Sequence, residues 1–253
     1  MKFFYQCILF LVFVVVINGW HFLGGTITWR PLNESGTGSP VAIVITQTYS
    51  WTYARMPCTA AMIANNQLVP SYGGTLPPLR LNCIGVCGTG YSPIPIIPYC
   101  TDISAPVDTT VGQRSDIVYL QSGDDFSVAF QYSAWRPLTP AASAPWSIST
   151  HIDLKPRSDN GLYNNAPVAT MMSPINIPVN QPKVIHVPIA DADRDTLRCR
   201  WSTNANGVDE CGGICPPSSL PPGTVIYPNC TIIITGQRYD DWFGVALMVR
   251  LFL

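Results

Sequence analysis

Eight cysteines, set out twice in the same order, constrain this chain more than any other feature. Cys58, Cys83, Cys87 and Cys100 lie in the first half; Cys199, Cys211, Cys215 and Cys230 lie in the second. Cys83-Ile-Gly-Val-Cys87 and Cys211-Gly-Gly-Ile-Cys215 share the pattern C-x-G-[VI]-C. Pro98-Tyr-Cys100-Thr-Asp-Ile103 and Pro228-Asn-Cys230-Thr-Ile-Ile233 share P-x-C-T-x-I. Gaps of 12 and 14 residues, both proline-rich, separate the two motifs. Two pieces repeated in order at similar spacing imply duplication of one four-cysteine unit, and so long a period belongs to tandem domains.

Disulfides and a four-thiolate zinc site both suit such a set, because C-x3-C lies within zinc-ligand spacing. Compartment decides between them. Lys2, an apolar run from Cys7 to Ile17 and the small Gly19 make residues 1–19 a signal peptide, with a mature chain of about 234 residues from Trp20. Cys7 leaves with the signal, and the eight that remain form an even set in an oxidising compartment. Four cysteines allow three pairings in each half. We expect the first to join the fourth, since both sit in strand-like runs, with a local C-x3-C bridge between them. The pairs are then Cys58–Cys100 with Cys83–Cys87, and Cys199–Cys230 with Cys211–Cys215.

The rest of the chain reads as all-β. Glutamate occurs only as Glu34 and Glu210 and lysine three times, whereas proline occurs 24 times and β-branched residues abound. Gly24–Trp29, Val41–Tyr53, Phe126–Tyr132 and Trp146–Leu154 alternate apolar and polar residues as half-buried strands do. Asp116–Leu120, the Ser122-Gly-Asp-Asp turn and Phe126–Tyr132 predict a hairpin. Thr59–Tyr99 is irregular, with at most one helical turn over Ala60–Asn65. Turn clusters at Arg157–Gly161 and Asn164–Pro167 place a boundary near residue 160. Downstream, Lys183–Pro188, Leu197–Trp201, Cys230–Thr235 and Phe243–Phe252 predict further strands. The expected architecture is two tandem antiparallel β-sandwiches, 20–159 and 160–253. Trp242–Leu253 is apolar apart from Arg250 and shorter than the ~20 residues a bilayer needs. It predicts a core strand of a chain cut from a longer ectodomain, with any membrane anchor beyond Leu253.

Pro188-Ile-Ala-Asp-Ala-Asp-Arg-Asp-Thr-Leu-Arg-Cys-Arg-Trp201 resembles the D-x-D-x-D-T-L strand start of cadherin-like and PKD-like extracellular repeats. Asp241–Val249 is similar to the last strand of such Ig-like sandwiches. The resemblance implies an adhesion or matrix-type repeat. It covers about 35 residues of the second half and little of the first.

Candidate sites follow from residue chemistry. Asp191, Asp193 and Asp195 alternate, so three carboxylates crowd together and Ca²⁺ would relieve their repulsion; Asp159 or Asp240 would add a ligand, while Arg194, Arg198 and Arg200 screen from outside. Trp29-Arg30 and Trp135-Arg136, each followed by Pro-Leu, are candidate cation–π surfaces for a glycan or peptide, and Tyr72 and Tyr91 are further loop aromatics. Asn33-Glu-Ser35 fits the glycosylation sequon; Asn229-Cys-Thr231 also fits but adjoins a strand. Three histidines (His21, His151, His186), carboxylate pairs confined to turns (Asp124-Asp125, Asp240-Asp241) and no nucleophile elbow or metalloprotease motif argue against an enzyme. The C-x3-C pairs precede no helix and read as structural rather than redox-active. Without Lys2 there are 13 basic residues against 15 acidic, so no charge excess draws nucleic acid. The expected function is non-enzymatic adhesion, matrix assembly or ligand recognition outside the cell, on a protein or glycan partner. A lectin-like module is the first alternative and a secreted hydrolase the second; the latter needs His151 or His186 joined to an acid and a nucleophile.

Overall fold

The computed structural model describes residues 21–70, 79–88, 90–170, 174–205 and 207–252. The signal-peptide expectation and Tyr72 fall outside them. Nearly all of the regular secondary structure is strand. The first half builds β1 (Phe22–Pro31), β2 (Val41–Thr52), one short helix α1 (Ala60–Ala64), β3 (Arg80–Ile84), β4 (Ile94–Pro95), β5 (Tyr99–Ser104), β6 (Thr109–Leu120), β7 (Asp125–Ser133) and β8 (Pro145–Asp153). These form two four-stranded sheets, ordered β1-β2-β6-β5 and β4-β3-β7-β8, with antiparallel pairing throughout.

Alternation drives this arrangement. In β2 the buried residues include Val41, Ile43, Ile45, Tyr49 and Trp51, and in β7 Phe126, Val128 and Phe130 turn to the same interior. An aromatic cluster fills the centre: Phe22 stacks on Trp146 at 4.3 Å and meets Trp135 at 5.0 Å, while Phe130 packs against Tyr49 and Trp146. Such offset and edge contacts add to the apolar area that rings of this size bury.

The predicted hairpin does not form. β6 pairs with β2 and β5, whereas β7 pairs with β3 and β8, so the Ser122–Asp124 turn carries the chain from one sheet to the other. Two bonds fasten that turn to the far sheet: Gly123 N donates to Leu154 O and Leu154 N to Asp124 O, each at 2.8 Å. A hairpin would set the apolar rows of both strands on one face of one sheet. Crossing over brings Val118 and Leu120 of β6 into the same interior as Phe126 and Val128 of β7, which buries both.

The second half is smaller. β9 (Val168–Ala169) pairs with β11 (Ile189–Ala190); β10 (Pro182–His186), β14 (Thr231–Thr235) and β13 (Val225–Ile226) form a three-stranded sheet; β12 (Thr196–Trp201) pairs with β15 (Leu247–Phe252). Val187, Cys199, Cys230, Ile232 and Ile234 make its core. The predicted last strand starts later than expected, because Trp242 turns aside to the first half. Its N–H donates to Thr139 Oγ1 at 3.0 Å rather than to a ladder carbonyl.

The first core also reaches beyond residue 160. Tyr163 is buried in it, with its N–H donating to Glu34 O at 2.8 Å and its hydroxyl 2.9 Å from Ser122 Oγ. Ile214, from the Cys211–Cys215 loop, is buried there as well. The two halves therefore share packing.

Candidate functional site in the cleft between the halves

All eight cysteines among the described residues are joined by disulfides, as Cys58–Cys100, Cys83–Cys87, Cys199–Cys230 and Cys211–Cys215. The long-range bridges tie the irregular stretches to strands: Cys100 sits on β5 and Cys199 on β12. No bond crosses between the halves, so other contacts hold them in place.

Contacts at three places bear on the cleft. At the first, Arg157 is almost wholly buried and donates to both Asp195 oxygens, to both Asp159 oxygens at 3.0 Å, and to Asn164 at 2.7 Å. Asn165 beside it donates its N–H and its side-chain amide to Asp193, at 2.6 and 2.9 Å. The carboxylates of Asp195 and Asp159 hold the guanidinium firmly protonated, and Arg157 in turn holds the Asp159 carboxyl below its usual range. At the second, Ser147 Oγ donates to Asp209 O at 2.6 Å and Gly213 N to Pro145 O at 3.0 Å. At the third, the Arg136 guanidinium lies 3.3 Å from the Trp242 ring centre.

Between these contacts lies a cleft of about 1670 Å³. The first half lines it with hydroxyls. Thr26 faces Thr48 and Thr28 faces Thr46 in the β1–β2 register, and all four are half-buried on the outer side of the sheet. The second half contributes apolar side chains, among them Ile177, Val245, Leu247 and Val249. The exposed Arg30 reaches the same cleft.

The aspartate cluster forms, with ligand atoms of Asp191, Asp193 and Asp195 within 4.8 Å of one another. Its charge is met from inside rather than from outside. Arg157 and Asn165 occupy Asp193 and Asp195, and Asp191 Oδ1 accepts from Asp195 N at 3.0 Å, which leaves Asp191 Oδ2 without a partner. Burial pushes the Asp191 carboxyl up, and the charges of Asp193 and Asp195 add to that push against backbone hydrogen bonds from Asp195 and Asp193. Ca²⁺ takes 6–8 oxygens, and most of those here already face a fixed donor. Arg194 has φ +66°, the left-handed conformation that favours glycine. Arg200 does not screen the cluster: it grips Glu210 with two bonds of 2.6 Å. Burial alone would raise Glu210, but those bonds from Arg200 bring its carboxyl below the usual range.

The tryptophan surfaces are not surfaces. Trp29 and Trp135 are 3% and 8% exposed and belong to the first core; Trp29 Nε1 donates to His151 O at 2.7 Å. Trp29 fills the interior because β1 alternates, and Trp135, past the end of β7, is drawn in by an isolated bridge to Phe22; Arg30 is left exposed and Arg136 half-buried. Arg136 then stacks on a distant ring, Trp242, that no short-range pattern connects to it. Tyr91 packs on Phe126 and donates to Leu81 O at 2.8 Å, so it too is structural. Asn33 is exposed, its Oδ1 accepting from Ser35 N. Asn229 is exposed as well, but the Thr231 of its sequon is buried and its hydroxyl lies 3.0 Å from His186 Nδ1.

One histidine does meet an acid and a hydroxyl. His151 Nδ1 lies 3.1 Å from Ser127 Oγ, and Nε2 lies 3.1 Å from Asp125, which also accepts from Lys155. Acyl transfer requires donors aimed at the developing oxyanion as well. Ser127 sits on a strand paired on both sides, with Ile84 and with His151, so the surrounding backbone donors serve the ladders. The three side chains are cross-strand neighbours on a polar sheet face, where such pairing is ordinary.

No protein-family model, curated protein or solved structure matches this chain.

Proposed function

We propose that the chain is a non-enzymatic extracellular recognition protein that seats part of a partner in the cleft between an Ig-like sandwich and a smaller second β unit. The four disulfides suit an oxidising extracellular setting, and no described helix is long and apolar enough to cross a membrane. A signal peptide ending at Gly19 and a glycan on Asn33 belong to the same reading.

The observation that carries it is the cleft itself, bordered by junction contacts at three places and lined by hydroxyl, apolar and charged side chains of both halves. Large concave sites of mixed chemistry are where ligands settle, and a fixed one spends little free energy on ordering. An extended protein segment fits better than a glycan, because Trp29 and Trp135 are buried and the Trp242 ring in the cleft is stacked by Arg136. Adhesion or matrix assembly is the setting in which such recognition operates.

The test is binding of the purified chain to panels of extracellular matrix proteins and of glycans. Thr46→Arg, which inserts a long side chain into the cleft from its wall, should weaken the captured interaction by about tenfold or more. Tyr119→Arg, exposed on the same sheet outside the cleft, should leave it unchanged. Equal effects of the two variants would remove the cleft from the function, and turnover of an ester or glycoside abolished by His151→Ala would replace recognition with hydrolysis.

A further inference from the structure

The duplicated C-x3-C motif ends in two different environments. Cys211 is buried, Ile214 inside its ring lies in the first core, and Gly213 is bonded to Pro145. A Cβ on Gly212 would come within 2.8 Å of Pro145 O, so that ring is clamped against backbone. Cys83–Cys87 closes a ring of the same size at the end of β3 under looser cover: a Cβ on Gly85 would meet only the Val208 side chain, at 3.3 Å, and Gly207 O, at 3.7 Å. Val86 inside it is 87% exposed, and Cys87 is the one exposed half-cystine of the eight. Cys58, Cys100, Cys199 and Cys230 are all buried.

We propose that Cys83–Cys87 is a site of thiol–disulfide exchange, at which an external thiolate attacks the Cys87 sulfur. The new bond joins the sulfur of the external thiolate to Cys87 Sγ as a mixed disulfide. The Cys83–Cys87 bond breaks, its electron pair leaves on Cys83 Sγ, and the resulting thiolate takes a proton from water or returns to reverse the reaction. One disulfide is consumed and one formed, so no further oxidant or reductant is needed. Cys87 is the sulfur attacked because access governs exchange and Cys83 is half-buried.

Little in the fold opposes opening. The ring encloses three residues, so its closure removes far less chain entropy than either long-range bridge. Asn82, Cys83 and Ile84 stay in register with Ala129, Val128 and Ser127 of β7 whether or not the bond exists. Exposure together with weak structural dependence separates exchangeable disulfides from structural ones. Identical spacing gave the two rings the same expectation; packing against the first half withdraws one and leaves the other in solvent.

The oxidised full chain is to be titrated with glutathione, quenched by alkylation and mapped by mass spectrometry. Cys83 should be alkylated and Cys87 glutathionylated while the other six cysteines remain paired, with opening about tenfold or more faster than at Cys211–Cys215. Cys83→Ser leaves Cys87 as a free thiol, which should gain the glutathione adduct only when oxidised glutathione is supplied, releasing one reduced glutathione by exchange, and the wild-type map stands even if that variant folds poorly. A second arm offers a folded protein bearing a single exposed cysteine: a covalent adduct at Cys87 assigns the site to protein thiols, and reaction with glutathione alone assigns it to small thiols. Opening of Cys211–Cys215 at the same rate, or of all four bridges together on unfolding, overturns the proposal.

Discussion

Replacing Cys58 and Cys100 together by alanine should lower the stability of the chain by about 4 kcal/mol, the largest loss among its disulfides. The bridge spans a sequence separation of 42 and therefore restrains most of the irregular first half when the chain unfolds. Both half-cystines also belong to the first core, at 0% and 2% exposure, so their removal opens space there. The matching double replacement at Cys83 and Cys87 should cost at most about 2 kcal/mol, because a short ring restrains little. Denaturant midpoints of the two variants and the wild type decide the matter. Equal losses would mean that the long bridge restrains a stretch already ordered without it.

Arg157→Met should destabilise the chain by about 3 kcal/mol, since it leaves Asp193 and Asp195 mostly buried without the charge that meets them. Asp159 is more than half exposed and should contribute little to this loss. Adding Asp193→Asn and Asp195→Asn should restore much of the stability, because the penalty lies in unpaired carboxylates rather than in a missing contact. Hydrogen exchange should report opening first along residues 157–166 and 191–195, where the halves meet. Thermal unfolding of the wild type should respond little to millimolar Ca²⁺ or to chelator, because the guanidinium already occupies the place of a cation. A melting temperature several degrees higher with Ca²⁺ would restore the aspartates as a metal site and reduce Arg157 to a neighbour.

Why some of this was legible and some was not follows from range. Val41–Thr52 and Asp125–Ser133 declare themselves because a strand's side chains alternate with period two, whatever it pairs with. The sheet to which each belongs is not local. Ser122–Asp124 has the composition of a hairpin turn, yet its hydrogen bonds run to Leu154, and burial of two apolar rows against each other outweighed local pairing. Trp29 and Trp135 look like binding aromatics beside their arginines; the alternation of β1 places Trp29 inside, but Trp135 lies beyond β7, and no strand period says that its indole points inward.

Arg157 was the least visible of all. In the sequence it opens a run of turn residues, and its partners Asp193 and Asp195 stand 36 and 38 positions away. The three aspartates were visible as a cluster of charge, but the source of the compensating charge was not. Composition and cysteine order alone were enough to determine an all-β chain with two four-cysteine halves, because strand propensity, period-two alternation and motif duplication are written in neighbouring residues. Only the tertiary structure decided which sheet each strand joined, which of two identical rings stayed in solvent, and where a cleft opened. Those depend on which surfaces exclude water from each other, and that is settled between residues far apart in the chain.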